Sequence, residues 1–163
     1  MSRETRHPAA SQQPTGNDLT RMAVSATAHC LTGCAIGEVL GMVIGTALGW
    51  SNLATIVLAV ILAFIFGYAL TIRSVLAAGL TFAAAIPIAL ASDTISITVM
   101  EIVDNLIMVT VPGAMHAGVV SWLFWGALAF SLAIAFVVTV PVNRYLIGRG
   151  RGHAVMHDLH SSH

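Results

Sequence analysis

The sequence has no lysine, only two cysteines and few charged residues. Seven basic residues, all arginine, and seven acidic residues give a formal net charge of zero. A chain without a basic excess lacks the electrostatic footprint of a nucleic-acid-binding protein. It also contains no catalytic triad, HExxH motif or nucleotide-binding loop. We therefore expect neither an enzyme nor a nucleotide cofactor.

Apolar residues dominate what remains. They make up 57% of the chain against 9% charged residues, and the mean hydropathy is +0.88. A helix needs about 20 mainly apolar residues to cross a hydrocarbon core of about 30 Å. The sequence therefore predicts an all-α integral membrane protein with four transmembrane helices. The predicted spans are Ala28–Trp50, Leu53–Ile72, Ser74–Ala91 and Val119–Val142.

Asp93–Val111, between the third and fourth spans, carries acidic residues at helical spacing among isoleucine and valine. Joined to the third span, this segment would make a helix of about 57 Å, nearly twice the hydrocarbon core. We therefore predict a separate amphipathic or re-entrant helix that ends at Pro112 and Gly113. Its acidic face is either solvated or part of a metal site.

Two polar tails flank the predicted four-helix domain of residues 19–145. Residues 1–18 lack apolar periodicity and are predicted to be disordered. Residues 146–163 are rich in arginine and histidine, and could bind a metal weakly or simply be solvated. The seven arginines precede the first span, separate the second and third, or follow the fourth. By the positive-inside rule, we expect a multi-pass protein of the inner (plasma) membrane with both termini in the cytoplasm.

Glycine recurs at every fourth position along the first span, and steps of four place residues on one helix face. The stripe comprises Gly33, Gly37, Gly41, Gly45 and Gly49. Each glycine costs roughly 1 kcal/mol relative to alanine in a helix interior. We therefore predict that the stripe packs closely against another helix, in a homo-oligomer or with partner membrane helices.

A second row on the same helix contains Cys30, Cys34, Glu38 and Met42, with His29 beside it. Thiolate, thioether and imidazole groups suit soft ions such as Cu(I). Glu38 is expected near the bilayer midplane, where an acidic side chain costs of order 2.5 kcal/mol or more. The alternatives are cysteines that pack like alanine and a protonated glutamate that hydrogen-bonds between helices.

More side chains of metal-binding type occur after the third predicted span, and we expect them at or beyond the opposite membrane face. The full set of predicted metal ligands is His29, Cys30, Cys34, Glu38, Met42, Met100, Asp104, Met108, Met115 and His116.

Three segments, HCLTGCAIGEVLGM, VDNLIMVTVPGAMHAG and PVNRYLIGRGRGHAVMH, resemble a family of small bacterial membrane proteins catalogued as a domain of unknown function. The resemblance covers nearly all of the chain after residue 25 and implies a compact helical membrane domain, but no activity. The chain is also loosely similar to mercuric-ion transport proteins, which place a cysteine pair in the first of a few helices. Their cysteine spacings differ from C-x-x-x-C, so this likeness is an analogy.

Three functions agree with these features. The leading hypothesis is a membrane protein that binds or transports a soft, copper-like metal ion. The second is a small proton-coupled exporter that uses Glu38, similar to small multidrug transporters with a glutamate in the first helix. The third is a structural or accessory subunit that docks on a larger complex through the glycine stripe. Haem ligation by His29 and His116 is disfavoured because the two residues are expected near opposite faces.

Overall fold

A computed structural model describes residues 16–77 and 79–149. It contains four long helices: α1 (Gly16–Ala47), α2 (Asn52–Ala77), α3 (Phe82–Thr110) and α4 (Trp122–Gly148). A short 3-10 turn, Ala114–His116, lies in the connection between α3 and α4. Each of the four helices is long and apolar enough to cross a membrane. The predicted all-α fold with four transmembrane helices is thus confirmed, while most of the two predicted tails lies outside the described residues.

The third helix differs from the prediction in its position. Ser74 belongs to the last turn of α2, and α3 begins at Phe82, where the Thr81 side chain accepts a hydrogen bond from the Ala84 backbone N–H. The helix then continues through Asp93 to Thr110 without a break. Residues 93–110 therefore form the larger part of the third span, and not a separate amphipathic or re-entrant helix. The acidic side chains stay in the bundle because they face other helices instead of water.

The glycine stripe packs closely, as predicted, but against α2 of the same chain. Gly33, Gly37, Gly41 and Gly45 lie against Gly67, Ala63, Ala59 and Thr55 in that order. A Cβ atom added to any of these four α1 glycines would lie under 3.0 Å from an atom of α2. Gly49 is different: it adopts a φ of 64° in the turn after α1, with no neighbouring atom within 4 Å of an added Cβ. These four glycines therefore hold the α1–α2 hairpin together, while association with a second copy or with partner helices stays a prediction.

Asn143 of α4 connects this helix to α1 and α3 through side-chain hydrogen bonds. It lies near the end of the bundle that contains the start of α1 and the end of α4, which we call the terminal end. Its Nδ2 donates a hydrogen bond to Thr27 Oγ1 of α1 at 2.8 Å, and its Oδ1 accepts one from Ser96 Oγ of α3. All three side chains are buried. These bonds fix the register of α1, α3 and α4, and so the relative heights of the polar groups farther along the bundle.

Candidate functional site

Four acidic side chains are buried between the helices of this bundle: Glu38 of α1, and Asp93, Glu101 and Asp104 of α3. Helices α1 and α3 both start near the terminal end and run in the same direction. Residue numbers on their facing sides therefore increase together. We use the name α1–α3 line for the eight side chains that follow this interface. They are Cys30, Cys34, Glu38 and Met42 of α1, and Asp93, Glu101, Asp104 and Met108 of α3.

The line begins near the terminal end with Asp93. Cys30 Sγ donates a hydrogen bond to Asp93 Oδ1 at 3.8 Å, and Ser92 Oγ donates to the same oxygen at 2.8 Å. Thr71 lies nearby, and His29 lies near enough to interact with this carboxyl group electrostatically. The second carboxyl oxygen, Oδ2, is buried without a hydrogen-bond partner. Asp93 thus retains a free acceptor.

A cleft of about 630 Å³ opens next to Asp93, and we call it the terminal cleft. Its polar lining includes Arg21, His29, Ser74 and Asp93. His29 is half-buried, and its Nε2 is 3.5 Å from Ser74 Oγ. The first acid of the α1–α3 line is therefore reached from the end of the bundle that contains both described ends of the chain.

The middle of the line pairs Cys34 with Glu101, whose side chains lie close to each other. Asn105 Nδ2 donates to the Glu101 backbone oxygen at 2.8 Å and approaches Glu101 Oε2 at 3.4 Å. Glu101 Oε1 is buried and has no hydrogen-bond partner. Each cysteine thus faces a different carboxyl group, so the two thiols do not converge on one point.

Glu38 and Asp104 form the third pair along the line, with exposed fractions of 6% and 3%. Their carboxyl groups are close enough to share a hydrogen bond when one of them carries a proton. Ser131 Oγ of α4 donates to Asp104 Oδ1, whereas neither Glu38 oxygen has a donor. The charged groups that act on Glu38 are Asp104 and Glu101, both acidic. A buried carboxyl group in this setting requires a proton or another cation for charge balance.

A small cavity beside this pair, the central cavity, has a volume of about 30 Å³, enough for one water molecule or one ion. Carboxyl, amide and thioether groups share its wall with apolar side chains. The lining residues are Glu38, Met42, Ile56, Ala59, Asp104, Asn105, Met108, Phe124 and Leu128. Both hard oxygen donors and soft sulfur donors are therefore present around a space of ionic size.

The structure brings four of the predicted ligands, Glu38, Met42, Asp104 and Met108, around this one cavity. Cys30 and Cys34 are buried farther toward the terminal end in an apolar cluster with Met100. Met100, Asp104 and Met108 lie inside the bundle, which corrects their expected position at or beyond the opposite face. The reason is that α3 is one continuous span.

The remaining predicted ligands lie apart from the central cavity. His29 borders the terminal cleft, and exposed His116 borders a cleft of about 320 Å³ at the other end, here called the loop-end cleft. The Met115 side chain and the tail histidines lie outside the described part of the structure. In residues 16–77 and 79–149, no three or more His, Cys, Asp and Glu side chains form a group that could hold a metal ion.

Asp93 and Glu101 were not predicted as members of the site. Their spacing from Asp104 puts all three on one side of α3, but of this acidic face, predicted to be either solvated or part of a metal site, only Asp104 was named as a ligand. Ser131 gave no usable signal, because a single serine in an apolar span is common at helix contacts.

A family model described as Domain of unknown function (DUF4396) matches residues 20–152. No curated protein and no solved structure matches the chain. The family match confirms the resemblance drawn from the three sequence segments, while the likeness to mercuric-ion transport proteins stays a prediction.

Proposed function

The chain belongs to the DUF4396 family, which is described as a domain of unknown function, and from the geometry of its site we propose that it transports a soft, copper-like metal ion along the α1–α3 line. One observation carries the proposal. Both cysteines, the four buried acids and two buried methionines lie along one interface, between a cleft at the terminal end and a cavity near the opposite end.

Carboxyl groups and sulfur atoms have complementary roles along such a path. A bare cation is costly in the bilayer core, and nearby carboxylates reduce that cost by supplying negative charge. Thiol and thioether sulfurs favour soft ions such as Cu(I) over the hard ions that carboxylates alone would bind. The alternation of sulfur and carboxyl groups therefore supports selectivity for a soft cation.

The spacing along α1 suits stepwise movement. Cys30, Cys34, Glu38 and Met42 are each four residues apart, which corresponds to about 6 Å along the helix axis. Asp93, Glu101 and Asp104 accompany them on α3. A cation leaving one pair of groups thus has the next pair within a short distance.

The direction follows from the distribution of arginine. In the described residues, Arg21, Arg73, Arg144 and Arg149 all lie toward the terminal end. By the positive-inside rule, we propose that this end faces the cytoplasm and that the protein resides in the plasma membrane. The terminal cleft would then be the cytoplasmic entrance of the path.

Flux of Ag⁺, a soft and redox-stable probe, into proteoliposomes tests this function. Ag⁺ flux into liposomes that contain the wild-type protein should exceed the flux into empty liposomes. Glu38→Gln or Asp104→Asn should lower the flux at least about tenfold, because each removes a charge from the path. Asp18→Asn, which alters an exposed acid in the first turn of α1, is the matched control and should leave the flux unchanged. Wild-type flux equal to that of empty liposomes, or equal loss in the control, would contradict the proposal.

The second candidate is a small proton-coupled exporter, favoured by the Glu38–Asp104 carboxyl pair and the missing donors at Glu38. It needs the carboxyl groups but not the sulfurs. Substrate-driven proton release should then survive Cys30→Ser with Cys34→Ser and disappear in Glu38→Gln. A pH-sensitive dye inside proteoliposomes distinguishes this outcome from soft-metal transport.

The third candidate is an accessory subunit, but most of the glycine stripe that was proposed as its docking surface is covered by α2. Gly33, Gly37, Gly41 and Gly45 contact α2 of the same chain. A partner or a second copy of the chain would therefore have to bind through a different face.

A further inference from the structure

We infer that the central cavity is a binding site for one soft monovalent cation, with the Met42 and Met108 thioethers and the Glu38 and Asp104 carboxyl groups as its ligands. The inference rests on the proposed function and adds to it the position and chemical class of the bound ion.

The four ligands reach the cavity as two equivalent pairs. Glu38 and Met42 are four residues apart on α1, and Asp104 and Met108 are four residues apart on α3. Residues at this spacing lie on one helix face. Because α1 and α3 run side by side in the same direction, the two carboxyl groups come together at one level and the two thioethers one turn farther along.

The carboxyl group of Glu38 lacks hydrogen-bond donors within the described part of the protein and is therefore available to bind an ion in the cavity. The side chain is 6% exposed and borders the cavity, yet both carboxyl oxygens lack a hydrogen-bond donor. A buried polar group without a partner is costly. The neighbouring Asp104 is also an acceptor when ionised, so it cannot satisfy Glu38 unless a proton or another cation is bound between them.

The size and lining of the cavity define the class of cation. A volume of about 30 Å³ accepts a single ion but leaves no space for a complete hydration shell. Mg²⁺ retains several waters when bound, and Zn²⁺ favours thiolate and imidazole ligands, neither of which lines this cavity. Thioether sulfur suits Cu(I) and its soft monovalent analogue Ag⁺.

Ile56 separates this site from the loop-end side of the protein. Its side chain lines both the central cavity and the loop-end cleft, which also contains His116. Toward the terminal end, the cavity is followed by the packed cluster of Cys34, Ile97 and Met100. An ion that leaves the cavity toward the loop-end cleft would therefore pass Ile56.

Equilibrium binding of Ag⁺ to purified protein tests the site. The Cys30→Ser, Cys34→Ser protein should still bind one Ag⁺ per chain. Adding Met42→Leu with Met108→Leu should weaken the affinity at least about tenfold, since two sulfur ligands are lost. The control pair, Met22→Leu with Met100→Leu, changes one exposed and one buried methionine outside the cavity and should retain the affinity.

The outcomes separate this inference from the proposed function. Loss of Ag⁺ in the cysteine-free protein would overturn the central site, although thiol-based transport could still hold. Unchanged affinity in the Met42→Leu, Met108→Leu protein would also overturn it. A wild-type protein that neither binds nor transports Ag⁺ would overturn both. Because leucine is close to methionine in volume, circular dichroism of each variant should show an unchanged helical fold.

Discussion

Adding a single methyl group at Gly37 should destabilise the bundle, although alanine is the better helix former. The new Cβ would lie under 3.0 Å from backbone atoms of Leu62 and Ala63, and these atoms cannot rotate away. Ordinary contact begins near 3.4 Å, so α1 and α2 would have to separate by roughly 1 Å, with loss of neighbouring contacts. Overpacking of this kind costs about 3 kcal/mol, and the gain in helix propensity offsets about 1 kcal/mol.

Gly37→Ala should therefore lower the free energy of unfolding by about 2 kcal/mol. Gly126→Ala is the matched control, since Gly126 is also helical but an added Cβ would meet no atom within 4 Å. That change should be neutral or stabilising by up to about 1 kcal/mol. Reversible unfolding in mixed detergent micelles, followed by circular dichroism, measures both. Equal stability of the two variants would refute the close-packed α1–α2 contact.

Three further predictions follow from the fold. Asn143→Ala removes two hydrogen bonds between helices and should lower the free energy of unfolding by about 1–2 kcal/mol. Asn52→Ala, at the exposed start of α2, should change it very little. Equal losses in the two variants would argue against the hydrogen bonds of Asn143 to α1 and α3. Reporter domains fused at either terminus should report cytoplasm and one inserted beside Trp50 should not, and the reverse pattern would contradict the proposed orientation. Ile56→Ala should accelerate Ag⁺ release several-fold in stopped-flow exchange, while Ile61→Ala, on the exposed face of α2, should not; equal rates would exclude Ile56 as the barrier.

The number of spans could be read from the sequence because a membrane-spanning helix is specified mainly by the length of its apolar run. The close-packed stripe was equally readable, since glycines at Gly33, Gly37, Gly41 and Gly45 have few other uses in a helix. The helix that covers this stripe could not be predicted from the sequence. Periodicity identifies the face of a helix that packs but not the helix that covers it, and α2 presents only small residues such as Ala59 and Ala63 at the contact.

The third span was misplaced for a physical reason. Hydropathy treats Asp93, Glu101 and Asp104 as groups that need water, so the sequence favoured an amphipathic or re-entrant segment for them. In the structure they face α1 and α4: Asp93 accepts a hydrogen bond from Cys30, Asp104 accepts one from Ser131, and Glu101 lies close to Cys34. Such pairing is a tertiary property, and the spacing of residues along one helix does not contain it.

The sequence therefore predicted the two halves of the candidate site separately, but not how they come together. The row from Cys30 to Met42 and the row from Met100 to Met108 were each identified by their i,i+4 spacing. The convergence of Glu38, Met42, Asp104 and Met108 on the central cavity depends on the parallel arrangement of α1 and α3, which in turn depends on where α3 begins.

X-ray absorption spectroscopy of the Cu(I)-loaded Cys30→Ser, Cys34→Ser protein tests the central claim most directly. With the thiols removed, the account predicts a first shell of two sulfur atoms from Met42 and Met108, together with carboxyl oxygen. Replacing both methionines by leucine should eliminate the sulfur signal. A shell of nitrogen and oxygen alone in the cysteine-free protein, or a sulfur signal that survives both replacements, would contradict a soft-cation site between α1 and α3.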